Sequence, residues 1–139
     1  MSAMDTATRF FHACESLEGW AGCQQFVAPG AAFASQCEPL VDIDTVEDYC
    51  EWMAGLGKGP LEGCSYELHS SAWDADSRSG LFFASIQGTH RGEGGPVPPT
   101  GKSTNTLYVY VVKVDEEDKV CGMTKVWNAP WTLAELGWA

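Results

Sequence analysis

GTHRGEGGPVPPTGKSTNTLYVYVVKVDEEDKVCGMTKVW, residues 88–127, contains the strongest strand pattern in the chain. Residues 107–112 alternate between two faces that are both apolar or aromatic, which is typical of a central strand buried on both sides. The four acids at 115–118 are poor strand formers and favour a solvated turn, after which Lys119 resumes the strand pattern. The sequence therefore predicts two antiparallel neighbours at the centre of a sheet.

Length and charge limit the class of protein. A chain of 139 residues is suited to a single domain, residues 1–139, that buries a core without a metal or a disulfide framework. The net charge of -11 argues against partners that are nucleic acids or anionic membranes, because both require clustered Lys and Arg. We see neither a signal peptide nor a run of transmembrane length, and we therefore expect a cytoplasmic protein.

The six cysteines need an explanation, because they would suffice for three disulfide bridges. Their spacing contains no CxxC pair and predicts no cluster of metal ligands. Most lie among apolar or small residues, where a thiol packs as a small hydrophobe. We therefore expect reduced thiols and no bound metal or other cofactor. The cysteines stand at positions 14, 23, 37, 50, 64 and 121.

The N-terminal quarter of the chain has helical periodicity. Ser2 or Asp5 can cap a first helix that runs to about Leu17. Apolar residues then recur at helical spacing over 20–27 until Pro29 ends the run. These patterns predict two short, packed helices.

A short strand and a third helix are predicted next. Residues 31–37 are a plausible strand. Asp44, with Glu47 three residues later, resembles a capping box at the start of an amphipathic helix through Leu56, and the glycines at 55–59 end it.

From Cys64 the periodicity changes to two. Residues 64–72 alternate between an apolar and a polar face, and a polar turn separates them from residues 81–90, so the two segments should form a hairpin. A short terminal helix is predicted with Thr132 as its cap and Glu135 completing a capping box. The order of elements predicts an α+β domain with a strongly bent antiparallel sheet and three N-terminal helices packed on its concave face.

One segment resembles a known family. Gly88-Thr89-His90, Gly92-Glu93 and the PPTGK of residues 98–102 resemble the GTH-x-GE and PPTGK elements of SnoaL-like polyketide cyclases, a branch of the nuclear-transport-factor-2-like superfamily. The resemblance covers nearly the whole chain in element order, while its sharp motifs lie within 88–102. It implies a cone-shaped fold, a homodimer formed through the sheet, and a deep pocket for a hydrophobic ring compound.

The chain departs from these relatives where their chemistry resides. SnoaL-like cyclases usually carry a HWD-x-x-D pattern in the last strand, where an acid can transfer the proton. The alignment places residues 123–125 (MTK) on HWD and Asn128 on the final acid, so both carboxylates are replaced. The position of the tyrosine in the oxyanion hole of ketosteroid isomerases falls near Phe10 or Phe11.

Lys125 is the first candidate for proton transfer. Its period-two neighbours, Met123 and Trp127, would surround it with apolar surface, and a desolvated lysine has a lowered pKa and can act as a base or as a partner for an enolate. The alternative is a lysine on the outer or dimer-facing side of the sheet, with its ammonium in water.

His90 and Tyr108 complete the catalytic hypothesis. An imidazole at the end of a strand can transfer protons near neutral pH, whereas its alternative role is to hydrogen-bond the loop backbone. Tyr108 would hold a carbonyl oxygen. The candidate pocket is largely aromatic. The family alignment and the neighbourhood of Lys125 add Phe11, Met123 and Asn128. The pocket comprises Phe11, Phe33, Trp52, Tyr66, Phe83, Tyr110, Met123, Trp127 and Asn128.

Three functions are compatible with these residues. The first is binding of a small hydrophobic carbonyl compound, with isomerisation or cyclisation by acid-base catalysis and without a cofactor. The alternative is a non-catalytic ligand-binding or dimerisation module, which the missing carboxylates favour. A protein-interaction domain that uses the exposed sheet is a third possibility.

Overall fold

A computed structural model describes residues 1–139 as four helices packed on a curled, open, five-stranded sheet. The predicted α+β class is confirmed. The helices are α1 (Ala3–Glu15), α2 (Gly19–Cys23), α3 (Val46–Lys58) and α4 (Ala129–Leu136), and two single 3-10 turns span Gln24–Phe26 and Glu38–Leu40. The strands are β1 (Val27–Ala34), β2 (Ser65–Asp74), β3 (Ser79–Thr89), β4 (Ser103–Val114) and β5 (Val120–Trp127).

The sheet has the order β1-β5-β4-β3-β2. The two predicted antiparallel pairs, β2 with β3 and β4 with β5, are confirmed. The first strand differs, because β1 runs parallel to β5 and makes the sheet mixed rather than wholly antiparallel. The N-terminal part of the chain therefore reaches the edge of the sheet beside its last strand.

Strand β1 begins earlier than the predicted 31–37. Pro29 and Gly30 were expected to end a helix but lie inside the strand, where the pairing with β5 shifts register between Val27 and Ala32. A proline without an N–H is tolerated there because β1 is an edge strand. Gly30 has a φ of 73°, which glycine adopts at little cost.

The helix caps are partly as predicted. Ser2 caps α1 in a reciprocal capping box with Asp5. The predicted cap at Asp44 is wrong, because the Thr45 side chain accepts the hydrogen bond from the Asp48 N–H. The predicted cap at Thr132 is also wrong; Asn128 caps α4.

The two faces of the sheet differ. The inner face, defined by Phe82, Tyr108, Tyr110 and Met123, packs against the helices. Residues of the sheet and the helices together form a cluster of 22 buried residues. The outer face, defined by Leu81, Phe83, Leu107 and Val126, is exposed along the same strands. The expectation that the central strand is buried on both sides is therefore wrong for the single chain.

The loop between β3 and β4 is tied to the end of α3 by backbone contacts. The N–H groups of Arg91 and Gly92 donate to the Pro60 carbonyl at 3.2 and 3.1 Å. A Cβ atom on Gly92 would lie 1.9 Å from the Gly59 carbonyl oxygen, so the close approach requires glycine. The GTH-x-GE segment thus joins the sheet to the helical layer.

All six cysteines are free thiols, but the prediction that they form no ligand cluster is wrong. Cys14 on α1, Cys23 on α2 and Cys50 on α3 place their sulfur atoms within 4.8 Å of one another. No helix of the chain combines the length and apolar character needed to cross a bilayer.

Candidate functional site

Lys125 lies on the inner face of the sheet. On β5 the side chains of Met123 and Lys125 are buried, whereas the alternating residues Thr124 and Val126 are exposed. Lys125 pairs with Tyr110 on the neighbouring strand and is only 6% exposed. The alternative of a lysine on the outer or dimer-facing side is therefore excluded by the structure.

Aromatic rings surround the Lys125 amine. The Nζ atom lies 4.7 to 5.8 Å from five ring centroids. Such contacts stabilise the ammonium form. Burial acts in the opposite direction and lowers the pKa of Lys125, with the charge of Glu15 offsetting part of that effect. The five rings belong to Tyr49, Trp52, Tyr108, Tyr110 and Trp127.

A chain of hydrogen bonds runs from this amine to a buried carboxyl group. Lys125 Nζ donates to the Tyr49 hydroxyl at 3.0 Å, and the Tyr49 and Tyr110 hydroxyls are in contact. Tyr110 donates to Glu15 Oε1, and Tyr108 donates to Glu15 Oε2. Two tyrosine hydroxyls, from Tyr49 on α3 and Tyr110 on β4, thus connect an amine on β5 with a carboxyl group on α1, and Tyr108 is a second donor to that carboxyl group.

Glu15 is the acidic end of this chain. It is 4% exposed, and burial raises its pKa, while the charge of Lys125 and the hydrogen bonds from Tyr108 and Tyr110 oppose that rise. Burial therefore favours the neutral form of both Glu15 and Lys125, and their mutual attraction favours the ion pair. The arrangement is suited to moving one proton between the two groups through Tyr49 and Tyr110.

The tyrosines remain protonated at neutral pH. Burial, followed by the nearby charge of Glu15, raises the pKa of Tyr49, Tyr108 and Tyr110 above the ordinary value for a phenol. Each hydroxyl is therefore available as a hydrogen-bond donor. This property is needed both to relay a proton and to hold a carbonyl oxygen.

The candidates Lys125 and Tyr108 thus belong to one network, and two members were missed. Tyr49 lies within the predicted third helix, and nothing in the sequence marks a partner for its hydroxyl. Glu15 lies within the predicted first helix. Its signal was its position four residues after Phe11, because residues at i and i+4 share a helix face and Phe11 is fully buried.

His90 belongs to a different set of contacts. Its Nδ1 atom accepts from Trp138 Nε1 at 2.8 Å and from the Thr100 N–H at 3.2 Å. Its Nε2 atom is buried without a hydrogen-bond partner. These contacts correspond to the alternative role of organising the loop, and none of its hydrogen bonds reaches the Lys125 network.

Several pocket candidates pack around the network. Phe33 stacks on Tyr49 at 4.4 Å between ring centroids, and Trp52 meets Trp127 edge to face at 6.2 Å. Phe11 packs edge to face against Tyr110, one of the network tyrosines, at 5.3 Å. The structure thereby brings these aromatic candidates into one layer beneath the helices.

The other pocket candidates have separate roles. Tyr66 bonds His12 Nδ1 through its hydroxyl at 2.8 Å. Phe83 lies on the outer face of the sheet, where it contacts His69. Asn128 accepts from the Trp131 N–H as the cap of α4, and Met123 lies in the buried core. Phe83 and Asn128 therefore lie outside the Lys125 network and the rings packed around it.

A surface groove borders the aromatic rings around the Lys125 network. It has a volume of about 480 Å³ and lies between α3 and the loop after β3, with Pro60 and Gly94 in its lining. Trp52 also forms part of its lining, and the centroid of that ring lies 5.6 Å from Lys125 Nζ. The indole therefore contacts both the groove and the surroundings of the buried amine.

Comparison with known proteins identifies the architecture. No family model matches the sequence, and curated protein sequences contain no significant match. Solved structures match over almost the full length. A SnoaL-like polyketide cyclase from Jannaschia sp. CCS1, so assigned provisionally, has a TM-score of 0.79 and 15% identity, covering 99% of this chain and 92% of that one.

Two further structures give the same result. AclR of Streptomyces galilaeus, a provisionally assigned hydroxylase, has a TM-score of 0.76 and 20% identity over 99% of this chain and 96% of its own. An NTF2-like protein of Burkholderia thailandensis E264 has a TM-score of 0.74 and 17% identity over 97% of each chain.

The chain has the fold of the nuclear-transport-factor-2-like proteins. Its structural neighbours include the SnoaL-like branch, so the resemblance inferred from residues 88–102 is confirmed for the architecture. At this identity the similarity concerns the fold, and the activity has to be argued from the site.

Proposed function

We propose that the chain binds a small, hydrophobic, oxygenated compound and transfers a proton at the carbon next to its carbonyl group, leading to isomerisation or cyclisation without a cofactor. The observation that carries this proposal is the buried Lys125 amine, linked through two tyrosine hydroxyls to Glu15. Such a pair can hold an amine in its basic form in a site from which water is excluded.

The roles follow from the direction of the hydrogen bonds. Lys125, as the free amine, removes a proton from the carbon, and the electron pair of the broken C–H bond moves to the carbonyl oxygen to give an enolate. The resulting ammonium stabilises that oxygen, and the Tyr108 hydroxyl joins it by turning its hydrogen from Glu15 Oε2 to the enolate oxygen. Returning the proton to a different carbon completes an isomerisation. In a cyclisation the enolate carbon attacks a second carbonyl, and the new alkoxide takes the proton.

The groove beside Trp52 is the proposed approach for the substrate. A ring compound placed there would stack on an indole that already contacts the Lys125 environment. Rotation of the half-buried Trp52 or Trp127 would open the way to the amine. The provisional assignment of the Jannaschia neighbour as a polyketide cyclase supports a polyketide-like carbonyl compound as the substrate class.

A non-catalytic role is the second candidate, and one observation favours it. Every member of the Lys125 network is hydrogen-bonded to another member, so the network can serve packing alone. In that case the groove would hold a ligand that leaves unchanged. Under either function we place the protein in a reducing cytoplasm, in keeping with six free thiols.

Hydrogen-deuterium exchange at carbon tests the catalytic proposal without knowledge of the final product. Cyclic ketones and diketones would be incubated with the protein in D₂O and followed by NMR. We expect accelerated exchange next to the carbonyl, and a decrease of about 10²-fold or more in Lys125→Met, which is the usual contribution of a general base.

Lys113→Met is the matched control, because Lys113 lies on the exposed side of β4. It should exchange at the wild-type rate. Folding of both variants would be checked by near-UV circular dichroism. Equal exchange by a folded Lys125→Met variant would contradict the catalytic assignment, and recovery of a tightly bound, unexchanged ketone would favour the binding module.

A further inference from the structure

Three buried thiols meet where the first three helices converge. Cys14, Cys23 and Cys50 come from α1, α2 and α3, and each is at most 1% exposed. All three sulfur atoms lie within 4.8 Å of one another. All three cysteines belong to the hydrophobic core, which separates their sulfur atoms from water.

The spacing is close to that of a three-coordinate metal site. A flat, three-coordinate ion with metal–sulfur bonds of about 2.3 Å places its ligands about 4 Å apart. The sulfur atoms, at no more than 4.8 Å, need to approach by less than about 1 Å to reach this geometry. Side-chain rotation of the cysteines is sufficient for such a change.

The three residues supply suitable ligand atoms. Each cysteine offers one sulfur atom, and the three atoms lie close together in a buried space. A thiolate is the form of cysteine that binds metals, so binding displaces thiol protons.

We propose that Cys14, Cys23 and Cys50 form a binding site for one thiophilic metal ion of low coordination number, Cu(I). Soft thiolate ligands select Cu(I), Zn²⁺ and iron–sulfur clusters. Zn²⁺ in a closed site takes four ligands, and the group here offers three. Cu(I) binds to the three sulfur atoms, and each thiol proton that it displaces passes to solvent.

The proposed entry path is at α2. This helix has only five residues, and Leu17 in the connection before it, at φ 65°, and its first residue Gly19, at φ 67°, are in the left-handed region. Short elements of this kind open locally at low free-energy cost. Opening of α2 would bring Cys23 to the surface while Cys14 and Cys50 remain on the longer helices.

The test is an anaerobic titration of the full-length, reduced protein with Cu(I) in the presence of a chromophoric Cu(I) chelator. We expect one Cu(I) per chain to be withheld from the chelator, X-ray absorption to show sulfur neighbours only, and the melting temperature to rise, because an ion that binds the folded state stabilises it. The rise in melting temperature requires no variant.

The chain supplies its own control, because three further cysteines lie outside the cluster. The triple variant Cys37→Ser, Cys64→Ser, Cys121→Ser should retain Cu(I) as the wild type does, and Cys23→Ala should lose it while remaining folded. Retention by Cys23→Ala, or no Cu(I) withheld by the wild type, would overturn the proposal. Preferential retention of Zn²⁺ would overturn the three-coordinate assignment. If neither ion is held, the three thiols serve only to pack the core.

Discussion

The inner and outer faces of strand β4 are built from similar residues and have opposite physical roles. Tyr108 and Tyr110 face inward and end in a buried network with Glu15. Leu107 faces outward and is 56% exposed, and Val126 on β5, which pairs with Val109, is 61% exposed. The apolar character of a strand therefore does not show which of its faces is the core.

The two faces differ in how strongly the stability of the fold depends on the hydrogen-bond partners of their side chains. The inner face holds charged or polar groups where water cannot replace a lost hydrogen bond, so each partner matters. The outer face presents apolar side chains to solvent in the single chain, where polar replacements cost little. Substitutions on the inner face should therefore lower the free energy of unfolding much more than substitutions on the outer face.

The largest effect is expected for Lys125→Met. This change leaves the Glu15 carboxyl group buried without its opposite charge, which costs about 3–5 kcal/mol when a buried pair loses one member. Urea denaturation would measure the free energy of unfolding. The double variant Glu15→Gln, Lys125→Met should recover part of the loss, and additive losses would contradict the coupling between the two groups.

The loss in Lys125→Met should also depend on pH. Without the lysine charge, burial raises the pKa of Glu15 further above the unfolded value of about 4.3. A folded-state pKa above the unfolded one gives stability that is complete below about pH 4 and is lost as the pH rises through the folded pKa. The difference from wild type should therefore be larger at about pH 8 than at about pH 5, and a difference that is the same at both pH values would mean that Glu15 is not the responsible group.

A smaller effect is expected for Tyr110→Phe. It removes the hydroxyl that connects Tyr49 with Glu15 and leaves buried acceptors with one donor fewer, at a cost of about 1–3 kcal/mol. Tyr66→Phe is the matched control, since the Tyr66 hydroxyl bonds the exposed His12 and should contribute less. Equal losses in the two variants would mean that burial of the network adds nothing.

The smallest effect on stability is expected on the outer face. Leu107→Glu with Val126→Glu should change the unfolding free energy of the single chain by no more than about 0.5 kcal/mol per site. We propose that this face forms the homodimer, so the same variant should be monomeric in light scattering where the wild type is dimeric. Val41→Glu, an exposed apolar site outside the sheet, should remain dimeric. A wild-type monomer would contradict the dimer.

The parts of the fold that depend on local pattern were predictable. The β2–β3 hairpin and the β4–β5 pair follow from period-two alternation and polar turns, and α1 follows from its helical stripe and cap. The start of β1 was not predictable in the same way. Its pairing with β5 is a contact between distant segments, which overrides the local signal of Pro29 and Gly30.

The candidate site was predictable in part for the same reason. The apolar neighbours of Lys125 on its own strand made a buried amine one of two possibilities, and they left open a lysine on the outer side of the sheet. Its partners Tyr49 and Glu15 come from two other elements, and no spacing along the chain specifies that their side chains will meet. The cysteine cluster has the same origin, since three helices contribute one thiol each.

The tie between Gly92 and Gly59 changes how the GTH-x-GE segment should be interpreted in other chains. The carbonyl of Gly59 occupies the space that any side chain at position 92 would need, and the neighbouring Arg91 and Gly92 amides are held by Pro60. A protein that had lost every reactive group would still require this glycine in order to fasten its loop. The segment is therefore a marker of architecture, and finding it in a new sequence licenses a statement about shape but none about turnover.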